Sequence, residues 1–144
     1  MKSELRPLFL DTSYVYALVN KRDEWHSRAV LWRARLAESR RKLITTQLIL
    51  VEIADGLAAL RFRGQALETI KALQSSPLVE IVALTSNNFA AAMDLYDKRR
   101  DKDWGLTDCV SFIVMSEHQI TESLTVDKHF QEAGFRVLLR ENPA

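Results

Sequence analysis

The stretch Leu8-Phe9-Leu10-Asp11-Thr12-Ser13 decides the fold, because a short apolar run is followed at once by three oxygen-bearing side chains. Three consecutive apolar residues are typical of a buried strand, and Asp, Thr and Ser are the residues that most often cap helices. The segment Tyr14–Asn20 then has a helical pattern. This stretch therefore predicts a strand that leads directly into a helix.

The same alternation continues along the chain. Further predicted strands are Leu43–Thr45, Val79–Leu84, Leu124–Val126 (ending at Asp127) and Phe135–Leu139. Further predicted helices are one capped by Asp23, with Trp25, Ala29, Trp32 and Leu36 on its apolar face, one from Thr46 to about Leu60, one from Gly64 to about Gln74, one capped by Ser86, one from Asp108 to about His118 with Thr107 as its cap, and a short one ending at Gly134. Such an order predicts an α/β protein with a parallel sheet and helices on both faces.

Composition and length limit the class of protein. The chain has 144 residues, 47% of them hydrophobic and 27% charged, which predicts one globular domain over residues 1–144. Apolar runs such as Leu48–Val51 are too short to span a bilayer, and Met1–Pro7 is too short and too charged for a signal peptide, so we expect a cytoplasmic protein. The single cysteine, Cys109, excludes an internal disulfide and disfavours a thiolate zinc site.

The net charge of +1 does not by itself indicate nucleic-acid binding. Basic residues are nevertheless clustered in three places: Arg33, Arg35, Arg40, Arg41 and Lys42; Arg61 and Arg63; and Lys98, Arg99, Arg100 and Lys102. Any of these clusters could contact phosphates. Solvated helix faces are the commoner explanation of such runs, and the sequence leaves both interpretations open.

Four acidic residues fall at places where a parallel sheet forms its binding edge. Asp11 and Asp127 follow predicted strands, Asp108 begins a buried helix, and Glu52 interrupts the apolar face of the helix after the second strand. Each has a structural alternative: the three aspartates could cap helices, and Glu52 could pair with Arg61 or another basic residue. Taken together, the four positions predict that the carboxylates converge on one rim of the sheet.

Four carboxylates in one cleft repel each other and require a positive partner. Oxygen ligands without a neighbouring Cys or His favour Mg²⁺ or Mn²⁺, whose coordination shells are completed by water and substrate phosphate. A site of this kind suits metal-assisted hydrolysis of a phosphodiester bond. The sequence therefore predicts a metal-dependent nuclease without a protein nucleophile.

Other polar residues near the acids have simpler expected roles. The hydroxyls flanking the acids could orient water or phosphate, but helix capping is their commoner use; they are Thr12, Ser13, Thr107 and Thr125. The three histidines show no metal-ligand spacing and are predicted to lie on the surface; they are His26, His118 and His129. Asp103 is an additional acid near Asp108 and is expected to be a loop charge.

Four motifs resemble the PIN-domain family, and within it the bacterial toxin ribonucleases of the virulence-associated type. The motifs are Leu-Phe-Leu-Asp11-Thr-Ser, Ile-Leu-Val-Glu52-Ile-Ala, Leu-Thr-Asp108-Cys-Val-Ser-Phe and Leu-Thr-Val-Asp127-Lys-His-Phe, and the match covers Leu8 to about Leu139. The resemblance implies a Rossmann-like three-layer α/β/α sandwich with a five-stranded parallel sheet. It also implies Mg²⁺- or Mn²⁺-dependent cleavage of RNA, homodimerisation, and inhibition by a small antitoxin that covers the acidic cleft.

Other families with acids at strand ends fit less well. A receiver domain needs an acidic pair after its first strand, and a haloacid-dehalogenase phosphatase needs a second Asp where Ser13 stands. The four glycines are dispersed, which excludes a Gly-rich phosphate loop. Two alternatives to a toxin remain at this point: a PIN-fold nuclease of RNA processing, and a PIN fold that binds RNA or protein without cutting.

Overall fold

A five-stranded parallel sheet organises the computed structural model, which describes residues 5–143. The strands stand in the order β3-β2-β1-β4-β5 and every neighbouring pair is parallel. Their bounds are β1 Leu8–Leu10, β2 Leu43–Thr46, β3 Val79–Val82, β4 Glu122–Leu124 and β5 Arg136–Val137. Strand β1 is in the middle of the sheet. The strands β2 and β3 are added on one side of β1, and β4 and β5 on the other, so the strand order reverses at β1.

Within residues 5–143, seven helices surround this sheet. They are α1 Thr12–Val19, α2 His26–Ser39, α3 Gln47–Gly56, α4 Leu60–Ser75, α5 Ser86–Lys98, α6 Leu106–Glu117 and α7 Lys128–Glu132, with a 3₁₀ turn at Leu138–Arg140. Helix α1 contacts α2, α3 and α4, while α6 contacts α5 and α7, which gives two separate helical groups. The predicted α/β sandwich with a five-stranded parallel sheet is confirmed.

The core lies between the sheet and these helices. Strand β1 is buried along its whole length, as expected for the central strand of a parallel sheet. Helix α6 is buried on most of its sides, and Phe112 packs edge-on against Trp104 and Phe130 with ring centroids 5.0 Å apart in each pair. Within residues 5–143, no helix is long and apolar enough to cross a membrane.

The third strand was predicted over Val79–Leu84 but ends at Val82, and β4 begins at Glu122, two residues before its predicted start. Two further strand predictions were wrong at their carboxyl ends. Strand β4 ends at Leu124 rather than Val126, because the backbone N–H of Val126 donates to the Ser13 side chain instead of joining the ladder. The last strand was predicted over Phe135–Leu139, but only Arg136–Val137 pairs with β4 before the 3₁₀ turn begins. Both departures lie beside the acidic residues.

Helix boundaries also differ from prediction. The helix predicted to reach about Leu60 ends at Gly56, because Leu57 leaves helical geometry and turns its side chain into the core. Helix α4 then begins at Leu60 and contains Gly64 rather than starting there.

The caps predicted at Asp23, Ser86 and Thr107 were wrong by one or two residues. Trp25 is the cap residue of α2. Thr85 caps α5, accepting a hydrogen bond from the N–H of Asn88. Gly105 is the cap residue of α6, where the Asp108 carboxylate accepts from the Gly105 N–H.

Candidate metal centre

The four predicted acids lie at or next to the carboxyl edge of the three central strands. Asp11 follows β1 directly, and Asp127 comes three residues after the end of β4. Glu52 is in the second turn of α3, which begins immediately after β2, and Asp108 is in the first turn of α6. Because the strands are parallel and adjacent, their ends place these segments along one edge of the sheet.

Asp11 is the most buried of the four, with 7% of its surface exposed. Although it occupies the cap position of α1, its side chain makes no capping hydrogen bond. Its Oδ2 instead accepts from the Thr125 hydroxyl at 2.7 Å and from the Ser13 hydroxyl at 3.1 Å. The structural alternative of helix capping therefore does not explain this carboxylate, which is held in place by two hydroxyls.

Glu52 is half-buried and is held by helix α1. The Thr12 hydroxyl donates to Glu52 Oε1 at 2.9 Å, and the Tyr16 hydroxyl donates to the Glu52 backbone carbonyl at 2.7 Å. Tyr16 reaches this position only because residue 56 is glycine, since a Cβ at Gly56 would lie 1.8 Å from the Tyr16 Oη. The alternative salt bridge to Arg61 is absent from the described part of the chain.

Asp108 lies between a backbone donor and an imidazole. Its Oδ2 accepts from the Gly105 N–H at 3.2 Å and lies 3.0 Å from Nδ1 of His129. The carboxylate thus stabilises the start of α6, as the capping alternative proposed, and also faces the side chain of another element. A fifth of the Asp108 side chain remains exposed.

Asp127 begins α7 as its cap, accepting from the His129 N–H at 2.9 Å. The peptide between Val126 and Asp127 is fixed from both sides: its N–H donates to Thr125 Oγ1 at 3.0 Å, and its carbonyl accepts from Nε of Arg140 at 2.8 Å. Capping and placement at the edge of the sheet are therefore compatible for this residue.

Burial and mutual repulsion disfavour negative charge at this edge. Desolvation is the largest effect and raises the pKa of Asp11 to about 6, with a smaller contribution from the charge of Asp127. Desolvation also raises the pKa of Glu52 and of Asp108, and in both cases the charge of Asp127 adds to it. The four carboxylates therefore interact electrostatically.

A positive counterion is largely missing. Among residues 5–143, no Lys or Arg forms an ion pair with any of the four acids. Ligand atoms of Asp108, Asp127 and His129 lie within 4.8 Å of one another, whereas Asp11 and Glu52 fall outside this group. Carboxylate oxygens, one imidazole nitrogen and surplus negative charge are a donor set that fits a divalent cation.

His129 is the functional candidate that sequence reasoning missed. We predicted a surface residue, but its Nδ1 lies 3.0 Å from Asp108 and 3.4 Å from Asp127. Desolvation lowers the pKa of His129, yet the hydrogen bond to Asp108 and the charges around it outweigh this effect and raise the pKa overall. Its position two residues after Asp127, on a short helix, was a signal for this proximity.

The expectation that the flanking hydroxyls mainly cap helices was also wrong for three of them. Thr12 binds Glu52, while Ser13 and Thr125 bind Asp11 and lie 3.1 Å from each other. Thr107 makes no hydrogen bond with the acids in the described residues. The chain thus uses one hydroxyl or more to position each of two acids whose pKa is raised by burial, Asp11 and Glu52.

Comparison with known proteins gives the same fold. The chain superposes on VapC20 of Mycobacterium tuberculosis, described as a toxin that cleaves the sarcin-ricin loop, with a TM-score of 0.76 and 26% identity over 89% of this chain and 95% of that one. It also superposes on FitAcB from Neisseria gonorrhoeae, with a TM-score of 0.65 and 20% identity over 90% of this chain and 95% of that one. No curated protein matches the sequence.

The model of the PIN domain matches residues 8–136, which include all five strands to within one residue and all four acids. The resemblance inferred from four short motifs is therefore confirmed over most of the chain, and the chain belongs to the PIN-domain family.

Proposed function

We propose that the protein is a divalent-metal-dependent endoribonuclease. The observation that carries the proposal is the set of acids at the carboxyl edge, which lack a Lys or Arg partner within residues 5–143. Desolvation and the charge of Asp127 raise the pKa of Asp11, Glu52 and Asp108. The likeness to VapC20, a toxin that cleaves an RNA loop, supports RNA as the substrate class. Membership of the PIN-domain family supports nuclease chemistry.

Asp11, Glu52, Asp108 and Asp127 would hold Mg²⁺ or Mn²⁺. When bound, such an ion polarises the scissile phosphate and makes water a stronger nucleophile near neutral pH. The chain's own residues keep the ligands in place: Thr125 and Ser13 orient Asp11, and Thr12 orients Glu52. No Ser or Cys needs to attack the phosphate, and the thiol of Cys109 is buried in the core with a raised pKa.

The biological setting follows from the same resemblance. We propose a cytoplasmic, single-domain toxin that is inhibited by a small antitoxin and forms a homodimer. Exposed apolar side chains on one face of α5 support association with a second copy; they are Phe89, Met93 and Tyr96. A molecular mass in solution equal to that of one 16.5 kDa chain would contradict the dimer.

The test is cleavage of labelled RNA hairpins with single-stranded loops by the purified protein, with Mg²⁺ or Mn²⁺ and with a chelator. We expect cutting only with the metal, and loss of cutting in Asp11→Asn and Asp108→Asn. Loss of one ligand should cost more than the roughly 10–100-fold associated with residues one step removed from a metal. Cleavage that persists in both variants would refute the proposed site.

Metal binding separates a nuclease from a binding module of the same fold. A cation that binds only the folded state raises its stability, by about 1.4 kcal/mol at ten times the dissociation constant. We expect millimolar Mg²⁺ or Mn²⁺ to raise the melting temperature of the native chain and not that of Asp108→Asn. An unchanged melting temperature in the native chain would favour the non-catalytic alternative.

A further inference from the structure

Trp25 carries two arginines on its ring beside the acidic edge. The guanidinium carbons of Arg28 and Arg140 lie 5.7 Å and 5.3 Å from the centre of the Trp25 ring. Arg28 is one turn further along α2, whereas Arg140 comes from the 3₁₀ turn after β5. Two distant parts of the chain therefore bring positive charge to one aromatic side chain, which we call the Trp25 platform.

The Trp25 platform is joined directly to the candidate metal centre. Nε of Arg140 donates to the Val126 carbonyl at 2.8 Å. This carbonyl and the N–H of Asp127 belong to the same peptide group. The Val126 N–H in turn donates to Ser13, which holds Asp11. The Arg140 guanidinium is therefore hydrogen-bonded to the residue that directly precedes Asp127.

The guanidinium groups of the Trp25 platform have no carboxylate partner. Within residues 5–143, neither Arg28 nor Arg140 forms an ion pair. Asp23, two residues before Trp25, accepts from the Trp25 backbone N–H at 2.8 Å. Glu24, which precedes Trp25 directly, forms no ion pair with either arginine in the described residues. Arg140 is exposed and Arg28 partly so, which leaves N–H groups available to a ligand.

The basic cluster most prominent in the sequence is arranged differently. All four basic side chains between residues 98 and 102 are paired with acids; the pairs are Lys98–Asp94, Arg99–Asp101, Arg100–Asp97 and Lys102–Glu132. Because these charges are already compensated, they offer little attraction to phosphate. The Trp25 platform has fewer positive charges than this cluster, but neither of its arginines is neutralised by a carboxylate in the described residues.

We propose that the Trp25 platform is a binding site for the sugar-phosphate backbone of the RNA next to the scissile bond. This inference rests on the proposed function. An acidic cleft repels a polyanion, and a net charge of +1 supplies little attraction over the whole molecule, so cations close to the cleft are needed. Arg28 and Arg140 contact phosphate oxygens, and Trp25 is a positioning residue that orients their guanidinium planes.

The experiment measures RNA binding separately from cutting. The affinity of the full-length Asp108→Asn protein for a labelled RNA hairpin is measured at several salt concentrations, with and without the further changes Arg28→Gln and Arg140→Gln. Each lost phosphate contact should reduce the slope of log affinity against log salt by about 0.7, so the double change should reduce it by about 1.4. We expect binding about tenfold weaker at moderate salt for the double change.

A matched control removes the same charge elsewhere. Arg33→Gln with Arg35→Gln takes two arginines from a later part of α2, and neither of them forms an ion pair within residues 5–143. Equal weakening in the control and in the Trp25 platform variants would overturn the proposal, as would unchanged binding in Arg28→Gln. Arg28→Gln is the stricter single variant, because Arg28, unlike Arg140, makes no hydrogen bond to the backbone beside Asp127.

Trp25 is tested by replacement and rescue. Trp25→Leu keeps both arginines, so we expect weaker binding with a smaller change in salt slope, and recovery of affinity in Trp25→Phe, which restores an aromatic face. Binding that Trp25→Leu leaves intact would exclude the positioning role. Two results together would separate this inference from the proposed function. If the native protein cuts no RNA but the Trp25 platform variants bind RNA more weakly than it does, the nuclease proposal is contradicted and the binding site is supported.

Discussion

The two edges of the sheet carry similar charged side chains in different arrangements. At the amino edge, where the parallel strands begin, Arg136 of β5 binds Glu122 of β4 at 3.0 Å and Glu141 at 2.6 Å. Arg41 lies 3.6 Å from Glu122. At the carboxyl edge, the acids have only His129 as a basic partner among the described residues. The pairing at the amino edge lowers the pKa of Glu141, whereas desolvation at the carboxyl edge raises that of Asp11.

The carboxylates at the amino edge therefore contribute to the stability of the fold, whereas those at the carboxyl edge reduce it. A paired carboxylate can contribute to folding, whereas a buried carboxylate without a cation costs free energy. Natural proteins accept such a cost mainly at functional sites. The comparison therefore supports the carboxyl edge as the active one without reference to any relative.

The largest expected contrast is in cleavage. We expect Glu52→Gln to lower kcat/KM for RNA by more than about 100-fold, because it removes a proposed metal ligand while keeping an acceptor for Thr12. Glu122→Gln, at the amino edge, should leave kcat/KM within about twofold of the native value. Similar losses in both variants would show that activity follows general charge rather than the carboxyl edge.

The next contrast is in stability without metal. The pKa of Asp11, about 6, is above the ordinary value of 3.8, so the folded state binds more protons than the unfolded state between these values. The free energy of unfolding then falls as pH rises from about 4 to about 6, by up to about 3 kcal/mol. Asp11→Asn should be more stable than the native chain above pH 6, as measured by urea denaturation in a chelator.

This stability prediction has an internal control. Near pH 3 the native carboxyl is protonated, so the difference between the native chain and Asp11→Asn should largely disappear. An Asp11→Asn protein that is less stable than the native chain at pH 7 would contradict the view that burial of this charge opposes folding.

The smallest effect is expected at the amino edge and has the opposite sign. Its hydrogen bonds and ion pair with Arg136 hold the pKa of Glu141 below the ordinary value, so the stabilisation is present above that value and is lost as pH falls. Glu141→Gln should destabilise the protein at pH 7 by less than about 1 kcal/mol, because the pair is largely exposed. If Glu141→Gln instead stabilised the protein at pH 7, the proposed difference in electrostatics between the two edges would be contradicted.

The general architecture could be predicted from the sequence because it depends on local patterns. The run before Asp11 is apolar, and the residues after it favour a helix start, so β1 and α1 follow from their own composition. The acids could be placed on one edge because the ends of parallel strands meet there. Topology thus located the candidate site without any contact being known.

The parts that could not be predicted depend on contacts between distant residues. Strand β4 ends early because Val126 binds Ser13, and α3 ends at Gly56 where Leu57 turns into the core. His129 approaches Asp108 only because α7 packs beside α6. These choices are made by packing and by competing hydrogen bonds, which spacing along the chain does not encode.

The hydrogen bond between Thr125 and Asp11 also has a consequence for protein synthesis. It joins residues 114 positions apart, and β1 pairs with β4 over a similar separation. Asp11 and Glu52 are therefore translated well before Thr125 and Asp127. The acidic edge is incomplete until the segment that contains Thr125 and Asp127 has left the ribosome and docked against β1.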